Sequence, residues 1–149
     1  MAKKERMRIE RINNGIVIDH IDAGKGIDIL KLFPTEFLKT KIDYASYIDS
    51  PRMGMKDIIK IENLDVNAEW LMRIALLAPD LTISIIRNAK VQKKVKPTIP
   101  EIVEGILKCR NPKCVTIRET YLVSRFRVGR TETGRLKQQC TFCEHIFYD

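Results

Sequence analysis

Over the first hundred residues, hydrophobic and polar positions alternate mostly with a period of two, interrupted by two stretches of helical period. Ile16–Ile21 is rich in β-branched residues and reads as a strand. Simple alternation places Ile16, Ile18 and His20 on one face and Val17, Asp19 and Ile21 on the other. On that parity Asp19 and His20 point opposite ways and form no side-by-side pair. A short strand at Ile9–Ile12 precedes it across an Asn13-Asn14-Gly15 turn. Ile27, Leu30 and Phe33 recur at threes, which predicts an amphipathic helix stopped at Pro34. Lys41–Ile48 and Met53–Glu62 alternate on either side of Asp49-Ser50-Pro51-Arg52 and read as a hairpin. Its second strand turns Met55, Ile59 and Ile61 inward and Lys56, Lys60 and Glu62 outward. Asn67 is a good N-cap for a helix whose apolar face carries Trp70, Leu71, Ile74, Ala75, Leu77 and Ala78 ahead of Pro79. Leu81–Arg87 and the lysine-rich Ala89–Val95 are the last two strands of this part.

The order strand, helix, hairpin, helix, strand predicts an α+β fold: a ferredoxin-like split βαβ sandwich with both helices on one face of the sheet. Its other face is open to a ligand. Lys60 and Lys94 sit on strands where they can bracket an anion, although lysines also serve to protect sheet edges. Pro97-Thr98-Ile99-Pro100 is a stiff linker. It sets the expected boundary between a first domain, residues 1–98, and a second, residues 99–149. In the second, Val115–Glu119, Tyr121–Val128 and Leu136–Gln139 read as short strands, with a turn at Arg130–Gly134 and a closing segment His145–Tyr148.

The cysteines change the picture of that second domain. The chain has four, Cys109, Cys114, Cys140 and Cys143. Each pair has the spacing of a metal knuckle, and two knuckles supply the four thiolates of a closed tetrahedral zinc site. The 25 residues between the knuckles are filled by a strand meander, which makes the domain a small all-β zinc ribbon. A module of about fifty residues holds too little core to fold unaided, so one structural Zn2+ per chain is expected. His145 is close enough to be a ligand, but four sulfurs already complete the shell. Disulfides are the competing use of paired cysteines. The charged segment Met1–Arg11 has no apolar core of a secretory signal, so a reducing cytoplasmic location is expected.

Composition adds less. No apolar run approaches the ~20 residues of a membrane span. The net charge of +8 is dispersed, with 18 basic and 13 acidic residues before Ile99 and 9 and 6 after it. This suits an anionic partner without naming one. Gly24-Lys25-Gly26 ahead of a helix invites a phosphate-loop reading, but no Gly-Lys-Ser/Thr ending follows. Asp19, His20 and Glu62 offer acid and base groups without a nucleophile or an open metal position, which argues against an enzyme.

Three stretches go beyond pattern: GIVIDHIDAGKG, MGMKDIIKIEN and CRNPKC with CTFCE. In this order and spacing the chain resembles the regulatory chain of aspartate carbamoyltransferase over nearly its whole length. The resemblance implies a non-catalytic, allosteric subunit of pyrimidine biosynthesis. In that family the first domain binds ATP or CTP and pairs with a second regulatory chain as a homodimer. The zinc domain docks on the catalytic chain, and neither nucleic acid nor membrane is a partner. The implied nucleotide-binding positions are Ile9, Glu10, Arg11, Ile12, Val17, Asp19, His20, Lys60, Ile86, Val91 and Lys94, with Ser84 and Ala89 beside them. Backbone groups of Ile12 and Ala89 would read the base edge, Asp19 the ribose hydroxyls, and Lys60 and Lys94 base, ribose or phosphates. Ser84 stands where the family often has asparagine, and Ala89 where it has a larger aromatic. Asn111 and Glu144 match partner-contact positions; Lys113 occupies a third with a departing residue type. The alternative reading is a zinc-ribbon nucleic-acid-binding protein, with Arg125, Arg127 and Arg130 along a phosphate backbone.

Overall fold

The alternating segments pair into one antiparallel sheet in the order β2-β3-β1-β4-β5. Its strands are β1 (Gly15–Asp22), β2 (Ile42–Ser50), β3 (Gly54–Glu62), β4 (Thr82–Arg87) and β5 (Lys90–Val95). Helices α1 (Gly26–Leu30) and α2 (Ala68–Leu77) connect them as a split βαβ unit requires. The structure, a computed structural model, describes residues 11–149. Half of the strand expected at Ile9–Ile12 lies outside these residues, and its described half, Arg11 and Ile12, is not in a strand. The chain divides into two compact units, Met1–Pro97 and Thr98–Asp149. Among the described residues no helix is long and apolar enough to cross a membrane.

One face of the first sheet and the two helices enclose the core. Ile16, Ile18, Ile21, Ile59, Ile61 and Ile83 from the strands meet Ile29, Phe33, Trp70 and Ile74. α2 begins as its sequence dictates, with the Asn67 side chain accepting from the Trp70 N–H at 2.9 Å. Phe33 meets Trp70 edge-on, with ring centroids 5.1 Å apart. α1 departs from the expected pattern. It ends at Leu30, buries Ile29 and leaves Ile27 53 % exposed. A 3₁₀ segment, Thr35–Leu38, follows Pro34.

In β3 strict alternation fails at one position. Met55, expected inside, is 41 % exposed, whereas Asp57 two residues on is fully buried. The Asp57 carboxylate accepts the N–H groups of Gly24 (3.1 Å), Gly26 (2.9 Å) and Tyr47 (3.0 Å) and the Tyr44 hydroxyl (2.8 Å). Burial alone would raise its pKa. The Tyr47 N–H, the Tyr44 hydroxyl and the two glycine N–H groups outweigh burial and hold it below the ordinary carboxylate value. The Gly24-Lys25-Gly26 loop therefore wraps an internal anion. A Cβ at Gly26 would lie 2.4 Å from the Tyr44 ring and 2.8 Å from the carboxylate, so only glycine fits there. This is the physical reason the phosphate-loop reading does not hold.

β4 and β5 are joined by the two residues Asn88 and Ala89, with Arg87 paired to Lys90. Both have positive φ, 51° and 62°, the mirror-image turn that suits hairpin twist. Asparagine adopts this conformation readily and alanine does not. Ala89→Gly is therefore expected to stabilise the first unit by about 0.5–1 kcal/mol, read as a higher urea midpoint.

The second unit is a four-stranded antiparallel sheet in the order β6-β7-β8-β9. The strands are β6 (Ile102–Glu104), β7 (Arg125–Arg130), β8 (Leu136–Cys140) and β9 (Ile146–Tyr148). Val115–Glu119, expected as a strand, contains a single helical turn, α3 (Val115–Arg118). The Ile117 N–H closes on the Cys114 carbonyl at 3.0 Å, so the knuckle's geometry overrides the β-branched composition. The strand expected from Tyr121 begins only at Arg125.

Candidate functional site

The open face of the first sheet is set by register. Lys94 pairs with Ser84, Ser84 with Val17, Val17 with Lys60 and Lys60 with Asp43. Directly paired residues share a face, so these five form one row across all five strands. Beside its inner members Val17 and Lys60 lies a cleft of about 290 Å³ lined by Arg11, Ile12, Val17, Lys60, Ile86, Ala89 and Val91. Ile12 and Ile86 are buried, yet neither belongs to the helix-side core. They make an apolar floor suited to the face of a planar ring, with the Lys60 ammonium at its edge. The Ala89 N–H is committed to the Asn13 carbonyl at 2.9 Å and so is not available to a ligand. Among the described residues neither Lys60 nor Lys94 is in an ion pair.

Asp19, His20, Ser84 and Lys94 lie outside the cleft lining. Ser84 and Lys94 belong to the row. Asp19 pairs with Thr82, one pleat along the same face. His20 overturns the expected parity. The register between β1 and β3 shifts between Ile18 and Ile21, and His20 has φ 57°. This bulge returns Ile21 to the core and turns His20 to the open face, where its Nδ1 lies 2.9 Å from the Thr82 hydroxyl. Asp19 and His20 are therefore neighbours. Burial pushes the Asp19 pKa up, but the Lys56 ammonium at 2.9 Å and the His20 N–H at 2.6 Å hold it below the usual carboxylate value. Lys56, which the alternation had marked only as outward, is thus the counter-ion of this corner. Ile9 and Glu10 lie outside the described residues.

In the second unit the sulfurs of Cys109, Cys114, Cys140 and Cys143 all lie within 4.8 Å of one another. Cys109 Sγ is 3.6 Å from Cys143 Sγ, and Cys114 Sγ is 3.8 Å from Cys140 Sγ, too far apart for disulfide bonds. Each knuckle aims donors back at its own sulfurs. The N–H of Asn111 points to Cys109, those of Phe142 and Cys143 to Cys140, and that of His145 to Cys143. The Thr116 hydroxyl sits 3.1 Å from Cys114. Donors arranged this way stabilise sulfur as thiolate, the form a metal binds. Burial pushes the Cys109 thiol up to about 12 and raises Cys140 as well. Against burial, the His145 N–H and the Asn111 amide bring Cys143 down to about 6. A bound cation would let all four ionise together. His145 contributes its backbone N–H to the cluster, and its ring faces Asn111.

Of the implied partner contacts, Asn111 and Lys113 lie in the first knuckle. The Lys113 N–H donates to Asn111 Oδ1 at 3.1 Å. Glu144 has φ 63° in the second knuckle, where its N–H closes on the Cys140 carbonyl at 2.8 Å.

Comparison with known families agrees with this two-part organisation. Residues 7–98 match the model described as aspartate carbamoyltransferase regulatory chain, allosteric domain. Residues 101–149 match the model described as the metal binding domain of the same chain. A relative from Methanocaldococcus jannaschii, named aspartate carbamoyltransferase regulatory chain, is 42 % identical over 146 residues, covering 97 % of this chain and 94 % of its own. Relatives of the same name from Methanosarcina barkeri and Tolumonas auensis are 36 % and 39 % identical, covering 98 % and 99 % of this chain and 94 % of their own. Two family models in order and relatives matched from end to end place this chain among the aspartate carbamoyltransferase regulatory chains, as a regulatory rather than a catalytic subunit.

Proposed function

We propose that the chain binds ATP and CTP in competition at the open face of its first domain, residues 1–98. It exports their effect to a separate aspartate carbamoyltransferase catalytic chain in cytoplasmic pyrimidine biosynthesis. The observation that carries this reading is the composition of the cleft. All seven lining residues are positions that the family resemblance assigned to nucleotide. The apolar floor of Ile12, Val17, Ile86 and Val91 suits a base, the Ala89 carbonyl its edge, and Asp19 the ribose hydroxyls. Lys60 and Lys94 lie on the same face, in no ion pair among the described residues, and serve base, ribose or phosphates. The first domain also pairs with a second copy of the chain. The domain of residues 99–149 holds one Zn2+ per chain, because an all-sulfur set of four is the donor chemistry zinc favours. A closed shell of four cysteines has no open position, so the ion is structural and the domain serves as the docking piece for the catalytic chain through Asn111, Lys113 and Glu144.

The test is reconstitution with catalytic chains. ATP and CTP are expected to change activity by several-fold to about a hundred-fold, the range of a ~1–3 kcal/mol coupling. Lys94→Ala is expected to weaken both nucleotides by about ten-fold or more, since a charge-assisted bond contributes ~1.5–3 kcal/mol. Titrations in which both affinities are unchanged would overturn the phosphate assignment. Activity indifferent to both nucleotides in a confirmed complex would overturn the regulatory reading.

A further inference from the structure

We propose that the groove between residues 105–109 and 116–124 of the second unit receives an apolar segment of the catalytic chain, an inference that rests on reading this domain as the docking piece. Residues 115–125 are rich in apolar and β-branched side chains, yet none of them is buried. Ile117 is 44 % exposed, Val123 62 % and Tyr121 76 %. The α3 turn in this stretch buries nothing. Single exposed apolar side chains are ordinary; a run of them beside a groove marks a protein contact.

The groove has a volume of about 520 Å³, and its apolar lining is Ile106, Leu107, Ile117, Leu122 and Val123. Several of its polar groups are already spent within the unit. The Ser124 hydroxyl donates to the Leu107 carbonyl, and the Gly105 N–H donates to the Ser124 carbonyl at 2.8 Å. The Thr116 hydroxyl sits against the Cys114 sulfur. Lys108 and Thr120 also line the groove and offer polar groups to the backbone of an incoming segment. Apolar side chains bordered by a few polar groups are the usual make-up of a protein interface.

Both walls of the groove start at ligands of the first knuckle. Residues 105–108 lead into Cys109, which itself lines the groove, and α3 begins directly after Cys114. Asn111 and Lys113, the partner-contact positions of this knuckle, lie between those two cysteines. The groove is therefore continuous with the surface assigned to the catalytic chain. That continuity favours the catalytic chain as occupant over a second copy, whose pairing is assigned to the first domain.

Ile117→Ser and Val123→Ser remove apolar surface from the groove without touching a buried residue or a cysteine. Association of the full, zinc-loaded chain with aspartate carbamoyltransferase catalytic chains is measured by titration calorimetry. Each variant is expected to weaken it by about 30-fold or more, the scale of an interface hot spot. Ile27→Ser, which removes an exposed apolar side chain from the first unit, is expected to stay within about twofold of the parent. Zinc content and amide dispersion of the second unit should match the parent in all three. In the parent chain, amide hydrogen exchange across residues 116–124 should slow on assembly, which tests the groove without any substitution. Unchanged exchange there, parent-like association of both groove variants, or an equal loss with Ile27→Ser would each overturn the proposal. So would groove variants that abolish self-association of the chain while its association with catalytic chains stands, because the occupant is then a second copy. A parent chain that associates with no catalytic chain overturns the docking reading itself; an intact association that ignores the groove overturns this inference alone.

Discussion

Removing the metal is expected to unfold residues 101–149 and to leave the first unit folded. The second unit has seven buried apolar residues, Val103, Cys109, Cys114, Phe126, Val128, Leu136 and Cys140, and three of them are ligands. Without the ion, four side chains remain: Phe126, Val103, Val128 and Leu136. That is too little apolar burial to offset the conformational entropy of about fifty residues. The free energy of structural zinc in small domains is about 10–16 kcal/mol at neutral pH, and in such domains it is folding free energy. No cysteine belongs to the first core, so that unit has no reason to respond. The single tryptophan, Trp70, lies in that core and reports on it alone. Chelation should therefore collapse amide chemical-shift dispersion for the second unit while Trp70 fluorescence holds. A second unit that stays folded with metal-free thiols would refute the account, and restored dispersion on adding Zn2+ would complete it.

Asp57→Ala is expected to destabilise the first unit by about 3–5 kcal/mol. The substitution strands the Tyr44 hydroxyl and the N–H groups of Gly24, Gly26 and Tyr47. Each unsatisfied buried donor costs about 1–3 kcal/mol, and water relieves the more exposed of them. Against a total stability of about 5–15 kcal/mol for an ordinary domain, this is a large share. Asp57→Asn should cost less. Its carbonyl in place of Oδ2 retains Gly24, Gly26 and Tyr44, and only the Tyr47 bond is forfeited. The pH dependence follows from the lowered pKa. A carboxylate whose pKa is depressed on folding contributes fully above its unfolded value of about 3.9 and loses that contribution as pH falls through the folded value. The parent chain should therefore lose stability below about pH 4, and Asp57→Asn should show a shallower acid limb. Urea titrations followed at Trp70 across pH 2–6 measure both, on a scale set by the usual ~3.9 reference. Equal acid limbs would remove Asp57 from the explanation.

What was legible in the sequence was local. The cap at Asn67, the β-branched run of β4, the turn at Asn88 and the knuckle spacings each depend on residues a few positions apart, and each formed where its chemistry required. The strand and helix order was enough to predict the split βαβ sheet, because antiparallel neighbours and short connections leave few alternatives. The motifs around β1, β3 and the cysteines were enough to point to the family, since family membership is carried by residues in order rather than by shape.

Tertiary structure decided the rest. Periodicity assumes that every residue advances the strand by one step. The bulge in β1 breaks that count, and only pairing with β3 reveals that Asp19 and His20 share a face. Strand parity puts Asp57 on the inward face but does not say what could satisfy a carboxylate there; donors 10 to 33 residues away do so. Its burial is tolerated because Gly24 and Gly26 of the loop and Tyr44 and Tyr47 of β2 satisfy it, which no local window contains. Val115–Arg118 has the composition of a strand but is bent into a helical turn by the ligand beside it. The face row from Lys94 to Asp43 and the cluster of four sulfurs are likewise products of register and of two knuckles meeting in space. Sequence patterns encode preferences of neighbours along the chain; the polar groups of this site are satisfied, or left free, by partners far along it.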